Sequence, residues 1–371
     1  MAQGFSLKDH LFNADTVGGL ARRFGAAGVF DPAPFQAEVM AELPALELKA
    51  RITLIAQVLA RHLPRAFPQA VQAIRAALPP PLDPTLRDDD FGEFIYAPLG
   101  VYVEDHGLSD HFDLSLDLIE DLTQRFSMEF SLRSCLNHDP AATLPRLRDW
   151  AGHPHYHVRR LVSEGTRPRL PWGQSVPLTP GDTLPLLDLL HADPTRYVIR
   201  SVANHLNDLT RTTPDAVLAH LTAWRDAGRQ DAGERDWMAR HALRNLVKAG
   251  HPGALAHLGY DPDLDLTAQV SITPQDLPIG ASACITAQIT PAADAPLLVD
   301  YVIDFVKANG TSAPRVFKLK TLTARAGKTV TLTKTHAFKK GATTFTHYPG
   351  AHGLRLQVNG RIVAETRFAL S

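Results

Sequence analysis

Apolar residues recur every three to four positions through the first part of the chain and every second position through the last part. Leu46, Leu48, Ile52, Ile55, Leu59 and Leu63 step at helical spacing, which places them on one face of a helix. Pro32, Pro34, Pro64 and Pro68 mark starts and stops there, and Pro79-Pro80-Pro81 closes the region as a stiff turn. Helical patterns continue from 91 to 137. Asp113 or Ser115 is placed to cap the helix LDLIEDLTQRF, and Ser127 to open MEFSLRSCL. Glu129 falls near the start of that second helix, where the backbone dipole favours a negative charge. Beyond Tyr260-Asp261-Pro262 the period drops to two, in segments such as SACITAQI, RVFKLKTLTA and GLRLQVNGRIVAETRFAL. Asn359-Gly360 predicts a tight hairpin within the last of these. About seven strands in about 110 residues predict an immunoglobulin-like β-sandwich.

A repeat begins near residue 144. His157-Val158-Arg159-Arg160, Tyr197-Val198-Ile199-Arg200 and Trp237-Met238-Ala239-Arg240 align at steps of 40 residues. Leu144-Pro145-Arg146-Leu147 matches Leu184-Pro185-Leu186-Leu187 at the same step. A period near 40 with two helices per unit marks HEAT-like arrays, which stack into a solenoid with a concave binding surface. The expected fold is multidomain, α then β. An α-α superhelix of HEAT-like repeats spans residues 1–260, and an immunoglobulin-like β-sandwich spans 261–371.

The stretch HPHYHVRRLVSEGTRPRLPW, residues 153–172, concentrates the chemistry. It predicts a helix from His157 to about Gly165, with Gly165 just past the end, then a loop punctuated by Pro168 and Pro171. Arg159, Arg160, Arg167 and Arg169 supply cations, Glu164 a carboxylate and Trp172 a flat ring. Arg160 and Glu164 share a face, which in its plainest form is a helical ion pair. In the next repeat Arg200, Asn204 and Asp208 step by four along one face. The recurrent arginines admit two readings. They tie neighbouring repeats together, or Arg160 and Arg200 form a ladder on which phosphates sit; Arg240 is read as a tie.

Composition narrows the class. The 371 residues carry a formal net charge of −1 and two cysteines, Cys135 and Cys284, far apart. That excludes a disulfide framework and fits a reducing cytoplasm. The N-terminus has no signal-peptide pattern, and no apolar run is long enough to span a bilayer. Charge is unevenly placed. No Asp or Glu occurs between Asp304 and Glu365, while that span holds eleven Lys and Arg residues, among them Lys318, Lys320, Lys339 and Lys340. His347 lies with them. A surface of one sign attracts a polyanion, although lysines also guard exposed strand edges. His153, His155 and His157 alternate, but they form a loop entering a helix without a Cys or Asp cluster nearby, so no metal is expected. There is no nucleophile elbow and no phosphate-binding Gly-rich loop, so no cofactor is expected. Trp224 and Trp237 read as packing residues.

The segments GVYVEDHGLSDHFDLSLDLIEDLTQRFSMEFSLR (100–133) and HVRRLVSEGTRPRLPW (157–172) resemble the AlkC family of bacterial DNA alkylation-repair glycosylases. The C-terminal LVDYVIDFVKANGTSAPRVFKLKTLTA resembles the immunoglobulin-like domain that one branch of the family carries. The resemblance implies a monofunctional glycosylase that excises cationic N3-alkylated bases, 3-methyladenine and 3-methylcytosine, from double-stranded DNA without deep base flipping. It places Glu129, Glu164 and Trp172 at the family's active-site positions; Asp208 is added by its helix and spacing. Arg159, Arg160, Arg167, Arg169 and Arg200 would hold flanking phosphates, and Lys318, Lys320, Lys339, Lys340 and His347 would grip the duplex. A monomer is expected. The rival is a non-catalytic HEAT-repeat scaffold that binds DNA or protein. It keeps the cations but has no need of the acids and the indole together.

Overall fold

The computed structural model describes residues 6–88, 91–341 and 345–371. The chain folds into two compact units, Met1–His241 and Ala242–Ser371.

The first unit is helical. Its opening helices are α1 (Leu7–Leu11), α2 (Ala14–Ala26), α3 (Pro32–Glu42), α4 (Leu48–His62) and α5 (Phe67–Ala77). Then come α6 (Ala97–His106), α7 (Phe112–Thr123) and α8 (Glu129–His138). The repeat supplies α9 (Pro140–Trp150), α10 (Tyr156–Gly165), α11 (Pro180–Leu190), α12 (Arg196–Leu209), α13 (Pro214–Ala227) and α14 (Ala232–Ala242). Helices α9 and α11 begin on prolines 40 residues apart and both carry an internal proline, Pro145 and Pro185. The 40-residue step therefore corresponds to a helix pair, with α10 and α12 as the second helices. Their buried faces, Val158, Leu161 and Val162 in one and Val198, Val202 and Leu206 in the other, are fully enclosed. That apolar stripe packs α10 on α12 and leaves their polar faces side by side.

Local chemistry sets the helix ends, in places differently from the expectation. Neither Asp113 nor Ser115 caps α7, whose N-cap is His111. Asp113 lies in the first turn, and the Ser115 hydroxyl turns back to donate to His111 O at 3.0 Å. Ser127 precedes the N-cap of α8, Met128, and its hydroxyl serves Glu129 instead. Gly165 is the last residue of α10 rather than the one beyond it. A Cβ there would stand 2.5 Å from Leu132 Cδ2, so the glycine is required by the close approach of α8.

The second unit begins earlier than the expected residue 261. Two short helices, α15 (Arg244–Lys248) and α16 (Pro252–His257), group with the strands. Helix α16 is tied there because Gly360 approaches both Gly250 and Leu255. The strands are β1 (Leu266–Thr273), β2 (Asp276–Leu277), β3 (Ser282–Pro291), β4 (Ala295–Val306), β5 (Ser312–Ala324), β6 (Val330–Ala337), β7 (Gly350–Val358) and β8 (Arg361–Leu370). They form a three-stranded sheet, β1-β3-β6, and a five-stranded sheet, β2-β8-β7-β4-β5. The strand missing from the expected seven is β2. It is two residues long and pairs in parallel with the end of β8, too short to show a period. Ile285, Ile303, Phe305, Phe338 and Leu354 fill part of the core between the sheets. Asn359 and Gly360 have φ of 45° and 80° between paired Val358 and Arg361, the two-residue hairpin the sequence signals. Strands β5 and β6 are the edges of their two sheets and follow one another in the chain, and Lys318, Lys320 and Lys334 lie on them.

Candidate active site

Three helices bring the acids together. Glu129 occupies the first residue of α8, Glu164 the last turn of α10, and Asp208 the last turn of α12. Two arginines thread between them. Arg160 Nη1 donates to Ser127 Oγ at 2.8 Å and to Glu129 Oε2 at 3.1 Å, while its Nη2 lies 3.8 Å from Glu164 Oε2. Arg167 Nη1 donates to Glu164 Oε1 at 2.7 Å, and its Nε donates to Asp208 Oδ2 at 2.9 Å. The order is acid, base, acid, base, acid: Glu129, Arg160, Glu164, Arg167, Asp208. Three carboxylates meet two guanidiniums directly, and the buried Arg133 guanidinium, bonded to the Gly165 and Arg167 carbonyls, acts electrostatically on Glu164 and Asp208 from beside the row.

The acids are not equivalent. Both oxygens of Glu164 are engaged, because Ser201 Oγ also donates to Oε2 at 2.7 Å. Glu129 and Asp208 each keep one oxygen, Oε1 and Oδ1, without a hydrogen bond among the described residues. Burial pushes the Glu164 carboxyl upward, but the Arg160 and Arg167 guanidiniums and the Ser201 hydroxyl outweigh it and hold it below the usual carboxylate range. Burial likewise opposes the charge on Arg160 and Arg167. Their carboxylate partners prevail and raise both. The Arg160 guanidinium also lies over the Tyr197 ring, 4.5 Å from its centroid. Burial pushes that phenol up to about 12, so Tyr197 stays neutral.

Trp172 stands apart from this row of charges. It sits on the loop after α10 with its side chain exposed and its backbone at φ 64°, a left-handed conformation that costs energy for a non-glycine residue. Lys49 Nζ donates to its carbonyl at 3.1 Å. The buried Arg133 anchors the loop from α8, donating to Gly165 O at 2.9 Å, Arg167 O at 2.8 Å and Gln174 O. Trp172 and Ser127 line the same cavity of about 360 Å³, so Ser127 borders both the indole and the charged row.

Several residues expected to meet phosphate are committed within the protein. Arg159 donates to Asp193 and to the carbonyls of His153 and Pro154, tying neighbouring repeats. Arg160 and Arg167 serve the acids as described. Arg200 pairs with Asp88. Arg169 is exposed and has no hydrogen-bond partner among the described residues. In the sandwich, Lys318 and Lys320 are exposed on edge strand β5, and Lys318 stands opposite Asp300. Burial raises Asp300 to about 6 against the pull of Lys318 and Lys248. Lys339 and Lys340 are exposed. The His347 ring packs at 4.9 Å from Phe345 and 5.3 Å from Phe305, and burial first, then His352 and Arg315, hold it below the usual histidine range. It is half-buried among these rings and lines the same surface pocket as Lys339 and Lys340. Among the described residues no group of three His, Cys, Asp or Glu side chains is arranged for a metal, and no helix is long and apolar enough to cross a membrane.

Residues 266–371 match the family described as the C-terminal Ig-like domain of uncharacterised protein YhaZ. The chain is 34% identical over 325 residues to the uncharacterized protein YhaZ of Bacillus subtilis (strain 168), covering 86% of each. Its structure is similar to that of the Pseudomonas fluorescens alkylpurine DNA glycosylase AlkC bound to DNA containing an abasic site analog. That likeness has a TM-score of 0.85 and 32% identity, over 99% of this chain and 100% of the other. The chain belongs to the AlkC and YhaZ family.

Within this cluster the sequence pattern missed the parts played by Ser127, Ser201, Tyr197 and Arg133. Tyr197 was visible only as a repeat position. Arg133 lies four residues after Glu129 on α8, which was its one legible signal. His205 was also overlooked. It lies fully buried beneath Glu164, with Nδ1 donating to Ser163 O at 3.0 Å, and burial holds it at about 4 against the usual 6.5. Its folded value is depressed, so its contribution to stability is complete above pH 6.5 and is lost as pH falls toward 4. Urea melts should show stability declining across that window by about 1.4 kcal/mol per pH unit from this group. His205→Gln should flatten the decline.

Proposed function

We propose that this chain is a DNA glycosylase of base excision repair that hydrolyses the N-glycosidic bond of cationic N-alkylated bases. The observation that carries the proposal is the row of three carboxylates, Glu129, Glu164 and Asp208, threaded by Arg160 and Arg167, in a protein similar over its whole length to AlkC. An N3-alkylated adenine already bears a positive charge and leaves without a strong acid. The sugar left behind becomes an oxocarbenium ion, and carboxylates fixed beside it stabilise that ion. The arginines keep the acids ionised and in place, so little reorganisation is needed as the charge forms. Glu164, with both oxygens occupied, acts electrostatically. Glu129 Oε1 and Asp208 Oδ1 have lone pairs open to orient the attacking water. The exposed face of Trp172 lies against the deoxyribose, where a π system favours the developing cation. The preferred bases are 3-methyladenine and 3-methylcytosine. No lyase step is invoked, because among the described residues no lysine joins the row of acids. A binding scaffold would gain nothing from burying these carboxylates.

The test is release of free base from methylated duplex by the purified protein. No release of any base, with duplex binding intact, overturns the reading. DNA contact through the cationic flank of the sandwich predicts a second result. The affinity for plain duplex should fall linearly in logarithm with salt. Lys339→Ala with Lys340→Ala should reduce that slope by about 0.9 for each phosphate contact removed. An unchanged slope would remove these lysines from the interface.

A further inference from the structure

One position of the 40-residue repeat carries a ring in every copy, His157, Tyr197 and Trp237, and none of the three belongs to the row of acids. Two of these rings receive a guanidinium from the helix one repeat earlier. The Arg160 guanidinium of α10 lies over the Tyr197 ring of α12, 4.5 Å from its centroid, and the Arg196 guanidinium of α12 lies over the Trp237 ring of α14 at 4.0 Å. Arg160 stands three residues after the ring of its own copy and Arg196 one residue before, so the two occupy the same helix face one turn apart. Each also pairs with carboxylate: Arg196 Nε donates to Glu234 Oε2 at 2.8 Å, and Arg160 serves Glu129 and Glu164. A guanidinium is planar, with its donors around the edge and none on the face. In Arg160 the edge serves Ser127 and the acids, and Tyr197 takes the face. The ring itself is fixed. Tyr156, His157 and Phe91 pack against it with centroids at 5.7, 5.0 and 5.6 Å, and its backbone amide donates to Arg87 O at 3.1 Å. Tyr197 is 4% exposed, and its hydroxyl makes no hydrogen bond among the described residues.

We propose that Tyr197 is a positioning residue of the site: the face of its ring fixes the Arg160 guanidinium, and through it the directions of Glu129 and Glu164. This rests on the glycosylase reading and adds to it the device that holds one half of the row. A guanidinium with partners only along its edge is free to tilt about the line that joins them, and each tilt weakens a bond to one acid. The ring removes that freedom, because a cation enclosed against an aromatic face is held more strongly than one in water. It also accounts for an arginine at this place, since an ammonium has no plane to lay on the ring. Tyr197 is enclosed and meets no DNA, so its loss falls on the chemical step and leaves binding alone. The second set has a different use. Glu234 is partly exposed and is the one carboxylate that Arg196 meets among the described residues, so Trp237, Arg196 and Glu234 tie α12 to α14.

The test replaces Tyr197 in the full chain by Phe and by trifluoro- and pentafluorophenylalanine. These keep the shape of the ring while fluorine withdraws the negative charge of its face, so a purely structural role would not respond to the series. Base release from methylated duplex is followed in single turnover over a range of enzyme concentrations. Tyr197→Phe should retain the rate to within about threefold, and the fluorinated rings should lower it stepwise, by about tenfold at pentafluorophenylalanine. The enzyme concentration giving half the maximal rate should stay within about twofold throughout. Tyr197→Leu should show the full loss, and Trp237→Leu, which removes the equivalent contact one repeat on, should lower the melting temperature and spare the rate. A second measurement needs no DNA. With isotope-labelled arginine, the Arg160 Nη protons, assigned by their absence in Arg160→Lys, should give sharp NMR signals in the wild type and in Tyr197→Phe. They should broaden in the pentafluorophenylalanine variant as the guanidinium loosens. Equal rates across the fluorinated series, a full loss already in Tyr197→Phe, or Arg160 signals that stay sharp in every variant overturns the proposal. The two readings fail separately. Base release that ignores the series sinks only the positioning role. Broadened Arg160 signals in a protein whose wild type releases no base sink the glycosylase reading and leave the contact standing.

Discussion

Glu164→Gln should lower the rate of base release from methylated duplex by about 10²–10³-fold, with the enzyme in excess so that chemistry rather than binding is read. The side chain keeps its size, and its amide oxygen can still accept from Ser201 or Arg167. What changes is charge: the row keeps two of its three carboxylates, and the field that meets the sugar cation becomes less negative. An amide nitrogen also points a donor at a guanidinium that is itself a donor, so the Arg160 and Arg167 positions loosen. Affinity for undamaged duplex should change only a few-fold, because Glu164 is buried and its loss removes no phosphate contact. A release rate within about threefold of the wild type would take Glu164 out of the chemistry.

The second large effect is expected at a residue that touches no substrate. Arg133→Met should destabilise the helical unit by about 3 kcal/mol, from three backbone carbonyls left without donors at about 1 kcal/mol each. Arg133 is fully buried and its guanidinium bonds to Gly165, Arg167 and Gln174. Those bonds fix both ends of the loop that carries Trp172, and they hold Arg167 by its backbone where its side chain meets Glu164 and Asp208. Base release should therefore fall along with stability. Acrylamide quenching of tryptophan should increase as the loop loosens. Thermal melts measure the first effect. Unchanged melting would show that water satisfies the three carbonyls, and the loop would then owe its shape to its prolines.

Much of this was legible along the chain. The 40-residue step located α10 and α12 as equivalent helices, because side chains that pack repeat on repeat must recur at the repeat's length. The alternation after residue 261 and the Asn359-Gly360 turn marked the sandwich strands, since both are local signals. The beginning of the second unit at 242 was not visible. Helices α15 and α16 continue the run of helices along the chain, and only their packing groups them with the strands. Short β2 escaped for a similar reason: two residues have no period, and its pairing partner lies at the far end of the chain.

For the site, the division is sharper. Glu164 with Arg160 followed from a spacing of four on one helix, a relation that helical geometry settles by itself. Glu129 and Asp208 were named as candidate acids, yet nothing in their spacing said which arginine each would meet. Arg160 reaches Glu129 across 31 residues and Arg167 reaches Asp208 across 41. Those pairings depend on how α8, α10 and α12 lie against one another. The same packing gives Arg160 and Arg167 internal carboxylate partners, and Arg159 is tied to Asp193 of the neighbouring repeat. Sequence determines which charges are present and which face of its own helix each occupies. Whether a charge meets solvent, a phosphate or another side chain is decided by burial, because a guanidinium removed from water must find its partners inside the protein.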